Sequence, residues 1–243
     1  MARLPRLGVA GQLHQALQRG VNGEAVFRDA DDYRAFLAAL RDAAIAHRVD
    51  IHAYALLPAE VHLLATPEAA DSLSLLMQAV GRRYVAAFNA RHGRRGTLWE
   101  GRFRAAVVEA GRWLRACEVF VETAPVRAGL AEEAEHYPWS SAAHHVGLTT
   151  DRSLRPHALD WLLGNTPFER EVARKMLLRH SLEAAEREAI LKAVSGGWVL
   201  GSAEFVAAIE ACAMRRVQPA RPGRPSLRAK DLRVEKPSDV SPN

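Results

Sequence analysis

Seven arginines, Arg82, Arg83, Arg91, Arg94, Arg95, Arg102 and Arg104, share residues 82–104 with a single acid, Glu100. Phe88, His92, Trp99 and Phe103 are set among them. Guanidinium groups take phosphate oxygens and aromatic rings take bases, so an interleaved stripe of this kind suits a single-stranded polyanion. A solvated helix end followed by core aromatics would contain the same residue types. The alternation of Trp99, Gly101 and Phe103 with Glu100, Arg102 and Arg104 puts the two rings on the buried side of a strand and the two arginines on the other.

Other candidate groups carry less. His144 and His145 are adjacent, with His136 nearby. Neighbouring residues in regular structure cannot face one ion, and no cysteine or carboxylate completes a ligand set, so these histidines are assigned to structure or surface. Tyr84 shares an apolar helical face with Val80 and Phe88 and is assigned to the core, although Arg82 and Arg83 flank it. Near the C-terminus, Arg221-Pro222-Gly223-Arg224-Pro225 is close to the arginine-glycine-arginine-proline cores that lie in narrow duplex minor grooves, with Pro222 interrupting the pattern. A tail that acts by general electrostatic attraction fits equally.

The elements that must position these groups follow from periodicity. Residues 12–19 read as a strand closed by Gly20 to Gly23. Residues 29–47 have apolar positions three and four apart and acids at the start, the pattern of an amphipathic helix. Residues 51–57 and 61–66 form a hairpin around Pro58-Ala59-Glu60, and 73–91 a second helix ended by glycine and cations. Residues 98–108 read as a strand, and 111–123 as a helix stopped before Pro125. The order β-α-β-β-α-β-α predicts an α+β protein with a ferredoxin-like antiparallel sheet and helices on one face, over residues 1–147. Residues 148–214 read as an all-helical extension, with helices near 155–163, 167–180, 182–195 and 202–214. Residues 215–243 lack apolar periodicity and read as a disordered basic tail.

Composition sets the class. The 243 residues carry a formal net charge of +5, and 215–243 hold eight basic and three acidic residues, so the rest of the chain is balanced. The arginine stripe is therefore offset by acidity elsewhere in the body. No apolar run is long enough to span a membrane or to act as a signal peptide. Cys117 and Cys212 are expected to be buried free thiols, and the chain to be cytoplasmic.

Seven ordered blocks then make a family resemblance. They are Gln18-Arg19-Gly20, Phe27-Arg28-Asp29, His52-Ala53-Tyr54, Val61-His62-Leu63-Leu64, Gly96-Thr97-Leu98-Trp99-Glu100-Gly101-Arg102-Phe103, Pro125-Val126-Arg127-Ala128-Gly129-Leu130 and Tyr137-Pro138-Trp139-Ser140-Ser141. Together they resemble the REP-associated tyrosine transposases, the insertion-sequence-200-like branch of the His-hydrophobe-His nucleases. The resemblance implies a metal held by two histidines on one strand face. It also implies a helix tyrosine that attacks the scissile phosphate, an asparagine one turn later, and single-stranded DNA beside a hairpin as substrate.

The chain departs from that pattern at the chemistry. Pro58-Ala59-Glu60-Val61-His62 stands where the family has Pro-Asn-His-hydrophobe-His, Phe120 falls at the tyrosine position, and Ala124 at the asparagine position. Glu60 and His62 remain chemically reasonable ligands for Mg²⁺ or Mn²⁺, and equally read as a solvated hairpin residue and a satisfied strand histidine. Phe120 keeps a ring but has no oxygen to attack phosphorus. The expectation is a protein that binds hairpin or single-stranded DNA through the stripe arginines, helped by Arg221 and Arg224, and is impaired in cleavage. A nuclease using altered ligands and a surrogate nucleophile such as water or Tyr84, and a decaying gene product, are the alternatives. The oligomeric state is not legible.

Overall fold

The computed structural model describes residues 5–180 and 182–219. The tail residues Arg221 and Arg224 lie outside the described residues. The chain runs β1 (Leu13–Arg19), α1 (Ala30–His47), β2 (Val49–Leu57), β3 (Glu60–Pro67), α2 (Ser72–Arg91), β4 (Arg104–Val108), α3 (Ala110–Glu122) and α4 (Ala124–Arg127). Then come α5 (Ala142–His145), a 3-10 turn at Ala158–Leu163, α6 (Pro167–Arg179), α7 (Ala184–Gly196), β5 (Val199–Leu200) and α8 (Ala203–Cys212).

The sheet order is β2-β3-β1-β4-β5. Its first four strands pair antiparallel, as the ferredoxin-like expectation requires, and β5 joins parallel to β4. One face packs on α1 and α2 through Phe36, Leu40, Leu76, Val80, Tyr84 and Phe88. The opposite face, lined by Leu17, Ala55, Leu57 and Leu64, receives α3 and α7. Each fully buried Leu or Phe in these layers is worth about 1.5–3 kcal/mol of transfer free energy, so the two-sided burial supplies much of the stability. No helix among the described residues is long and apolar enough to cross a membrane.

Local chemistry explains most boundaries. Asp29 caps α1, its side chain accepting from the Asp31 and Asp32 backbone N–H groups. Pro125 does not merely stop α3; it sits in the first turn of α4, where its missing N–H costs nothing. Buried ion pairs dock the extension: Arg174 of α6 holds Glu118 of α3 at 2.5 Å and Asp160 at 2.7 Å, and Arg115 shares both acids.

Five expectations need correction. The strand foreseen at 98–108 starts only at Arg104, because Gly101 turns the chain at φ 66° and leaves Trp99 in a single bridge with Gly20. The extension is not all helix, since Val199 and Leu200 add β5, two residues being too short to show a period. The helix foreseen at 155–163 is a 3-10 turn beginning at Ala158, capped by His157 and Asp160. Cys117 is buried as expected, but Cys212 is exposed at the end of α8. The packed body also continues past Met214: Val217 is fully buried and accepts a backbone hydrogen bond from Val199.

Candidate nucleic-acid interface

The β2–β3 hairpin turns on Pro58 and Ala59, so Glu60 opens β3 opposite both Leu57 and Arg19. His62 follows two residues later on the same face, opposite Ala55 and Leu17. Glu60 Oε2 lies 3.1 Å from His62 Nε2, and Arg19 Nε donates to Glu60 Oε1 at 2.8 Å. The hydrogen bond with His62 outweighs partial burial, and with Arg19 it holds the Glu60 carboxyl below the usual carboxylate range.

Phe120 reaches this pair from α3, its ring centroid 6.0 Å from that of His62. Arg127 covers the other side of Phe120, with Cζ 4.3 Å from the ring centroid. Its Nη atoms donate to Thr123 Oγ1 and Phe120 O, each at 2.6 Å. Desolvation and then the neighbouring Arg187 charge push the Arg127 guanidinium down to about 10, with Glu60 partly offsetting them. Ala124 is buried beside Phe120. The fold thus assembles Glu60, His62, Phe120 and Ala124, the four positions singled out in the sequence, around Arg19 and Arg127.

This constellation is poor in divalent-ion chemistry. Each Glu60 oxygen already has a partner, so an ion would have to displace a guanidinium to use the carboxylate fully. Phe120 and Ala124 add no donor atom. A different cluster has ligand atoms within 4.8 Å of one another, formed by Asp29, Asp32 and His92. There Arg91 already provides the cation, 2.6 Å from Asp29 and 2.7 Å from Asp32, while His92 Nε2 lies 2.9 Å from Asp32. The acids crowding the start of α1 were visible in the sequence, but their pairing with the end of α2 was not.

The tyrosines are all committed to the core. Tyr84 donates to Val26 O, Tyr137 to Leu56 O and Tyr54 to Asp151, and Tyr33 is stacked between Phe27 and Trp139. Burial pushes the phenols of Tyr54, Tyr84 and Tyr137 far up. The histidine pair is structural too, His145 Nδ1 lying 2.5 Å from the buried Glu122 carboxylate.

The arginine stripe divides. Arg83 is paired with Asp42, Arg91 with Asp29, Asp31 and Asp32, and Arg94 with Glu24, so these three contribute to holding α2 against its neighbours. Arg95 is exposed with no ion-pair partner among the described residues. Arg82 and Arg102 line an open groove of about 870 Å³ between α2 and the 99–103 segment, together with Arg6 and Gln18. No carboxylate lines that groove among the described residues. Trp99 and Phe103 line it and are buried, as their alternation predicts, and the Trp99 indole N–H has no hydrogen-bond partner among the described residues. Arg104 leaves the groove for an adjoining cavity and donates to Ser195 O at 2.9 Å. The sequence carried no signal for Arg6. Arg19 and Arg127 stood inside recognisable blocks without an assigned role.

The architecture defines a fold class: a ferredoxin-like sheet whose β3 and α3 meet at one polar corner. The solved structure described as the REP-associated tyrosine transposase bound to a REP hairpin matches with a TM-score of 0.52 at 16% identity, over 65% of this chain and 99% of that one. A putative transposase from Deinococcus radiodurans also matches, at 23% identity and a TM-score of 0.34, over 48% of this chain and 91% of that one. No family model and no curated protein matches the sequence.

Proposed function

We propose that this chain is a transposase-fold DNA-binding protein that recognises hairpin or single-stranded DNA and does not cleave it by the tyrosine route. The observation that carries the reading is the open groove along α2, with Arg6, Arg82 and Arg102 on its walls and no carboxylate among its described lining residues. Such a surface attracts a phosphate backbone without an acid to repel it. The solved structure of the same fold is described as bound to a REP hairpin, which supports the same partner class. The chemistry is limited by Phe120, which brings a ring and no oxygen to His62. Glu60 and His62 are read as a hydrogen-bonded cluster with Arg19 rather than as a divalent-cation site.

The test is salt-dependent binding to single-stranded, hairpin and duplex oligonucleotides, with Mn²⁺-dependent cleavage read in the same tubes. Three phosphate contacts give a log–log salt slope of roughly −2 for a single strand. The expected result is that slope with no nicked product. Salt-insensitive binding would overturn the DNA reading, and a covalent protein–DNA adduct would overturn the loss of cleavage.

A further inference from the structure

Beside the open groove lies a smaller cavity of about 300 Å³, between the N-terminal segment, the start of β4 and the end of α7. The two share Arg6, Ser74, Arg102 and Phe103 on their linings. The far wall is built by Ser195-Gly196-Gly197-Trp198. Gly197 closes α7 in the left-handed region at φ 67°. Gly196 is required for a different reason: a Cβ there would fall 1.8 Å from Trp198 Nε1, so its absence lets the indole lie on the helix end.

Two guanidinium groups converge on that end. Arg104 donates to Ser195 O, and Arg215 donates to Gly197 O while standing 5.8 Å over the Trp198 ring. One cation at a helix C-terminus is ordinary capping, since the carbonyls carry about half a negative charge. Here there are two, and all three of their described hydrogen bonds, the third from Arg215 to Arg216 O at 3.0 Å, go to carbonyls rather than carboxylates. Arg215 Nε is buried without a partner, and no acid lines the cavity among the described residues. The result is a concave, net-positive site at the small end of ligand-sized cavities, with a half-buried aromatic surface in its wall.

We propose that this cavity seats one nucleotide of a single-stranded segment, its phosphate on Arg104 and Arg215 and its base against Trp198. The inference rests on the DNA-binding reading and deepens it: the strand leaves the α2 groove and ends in a pocket built by the extension. Arg215 and Trp198 thereby join the interface.

The test uses the full chain and a mixed-sequence single-stranded 12-mer carrying 5-iodouracil, with fluorescence anisotropy across a salt series and mapping of the photo-adduct. Removing both arginine contacts to that one phosphate with Arg104→Gln and Arg215→Gln together should weaken binding roughly tenfold and flatten the salt slope by about 0.7. Trp198→Ala should cost fivefold or more at unchanged slope, because stacking is not ionic. Arg215→Lys should retain the slope, and melting curves separate any loss of helix capping from loss of binding. The adduct should fall on Trp198. If the wild-type chain binds with a steep slope but the double variant is unchanged and the adduct lies elsewhere, the cavity assignment is overturned and the DNA reading stands. If no DNA binds with salt dependence, both fall. Saturation of the cavity by dAMP while the 12-mer stays out overturns the strand assignment in favour of a free nucleotide.

Discussion

The rings of His62 and Phe120 meet edge to face across the junction of β3 and α3, their centroids 6.0 Å apart and their planes inclined at 62°. The sheet and the helix are thus in register for a side chain of α3 to reach the Glu60–His62 pair of β3. What is delivered is hydrocarbon. Arg127 on the opposite face of Phe120 reinforces this packing, so the ring is fixed by two polar neighbours and engages neither through an oxygen.

Restoring Glu60→His, Phe120→Tyr and Ala124→Asn together tests whether only the chemistry is missing. Phe120 is 3% exposed and Ala124 is 3% exposed, so the added polar atoms need room at this corner. A cost of about 1–3 kcal/mol is expected from each crowded site. With stability checked by denaturant unfolding, the triple variant should form a covalent adduct with a labelled hairpin oligonucleotide in Mn²⁺, visible on a denaturing gel. Retained binding without an adduct would mean that DNA is not presented at this corner.

Much of this corner was legible beforehand. Period-two and period-3.6 patterns placed β1 to β3 and α1 to α3 to within a few residues, and the block order located Phe120 and Ala124 without coordinates. The rest depended on contacts between distant residues. Arg19 meets Glu60 only because of the β1–β3 register, and Arg91 meets Asp32 only because α1 and α2 lie side by side. Sequence spacing carries no trace of either, so a seven-arginine stripe looked like one surface when three of its members are paired with acids. The strand expected from Leu98 failed because Gly101, apparently an alternating position, adopts φ 66°.

Arg174 should be the most sensitive residue of the extension. It is buried and bonded to Glu118, itself 1% exposed, so truncation leaves that buried carboxylate with Arg115 as its one described cation. Arg174→Ala is expected to lose about 3–5 kcal/mol in denaturant unfolding. Adding Glu118→Gln should recover part of that loss, because the buried charge that Arg115 alone must then compensate is gone. An equal loss in single and double variants would mean that packing, not charge, is what Arg174 provides.

Acid should destabilise the protein before its carboxylates titrate. His14 is buried, accepts from Val9 N–H at Nε2 and lies 2.8 Å from Gln12 O through Nδ1, which suits a neutral ring. Burial pushes its pKa down to about 4, against a smaller opposing effect of the Gln12 carbonyl. The unfolded chain therefore takes up a proton near pH 6.5 that the folded chain refuses until about pH 4. Stability contributed by the neutral ring is complete above pH 6.5 and is lost across that window, by about 3 kcal/mol in total. Burial lowers His52 and His157 in the same direction, so the wild-type slope has several sources. Urea unfolding at a series of pH values should give His14→Gln a shallower fall than wild type between pH 6.5 and 4. Parallel curves would remove His14 as a cause.

Gly81 separates stability from binding. It lies in the interior of α2, where glycine costs about 1 kcal/mol relative to alanine, and the nearest atom to an added Cβ is Trp99 Nε1 at 3.9 Å. That is ordinary van der Waals contact, so Gly81→Ala should fit without movement and raise stability by about 0.5–1 kcal/mol. Nothing in the packing therefore calls for glycine here. The groove does, because Gly81 lines it directly over Trp99, and a smooth helix surface lets a backbone approach α2 between Arg82 and Arg102. Gly81→Leu projects a branched side chain into that space. It should unfold no earlier than wild type yet bind a single-stranded oligonucleotide roughly tenfold more weakly, by the loss of close phosphate and base contacts. Anisotropy titrations beside urea unfolding check both halves. Wild-type affinity in Gly81→Leu would show that the strand does not run along α2.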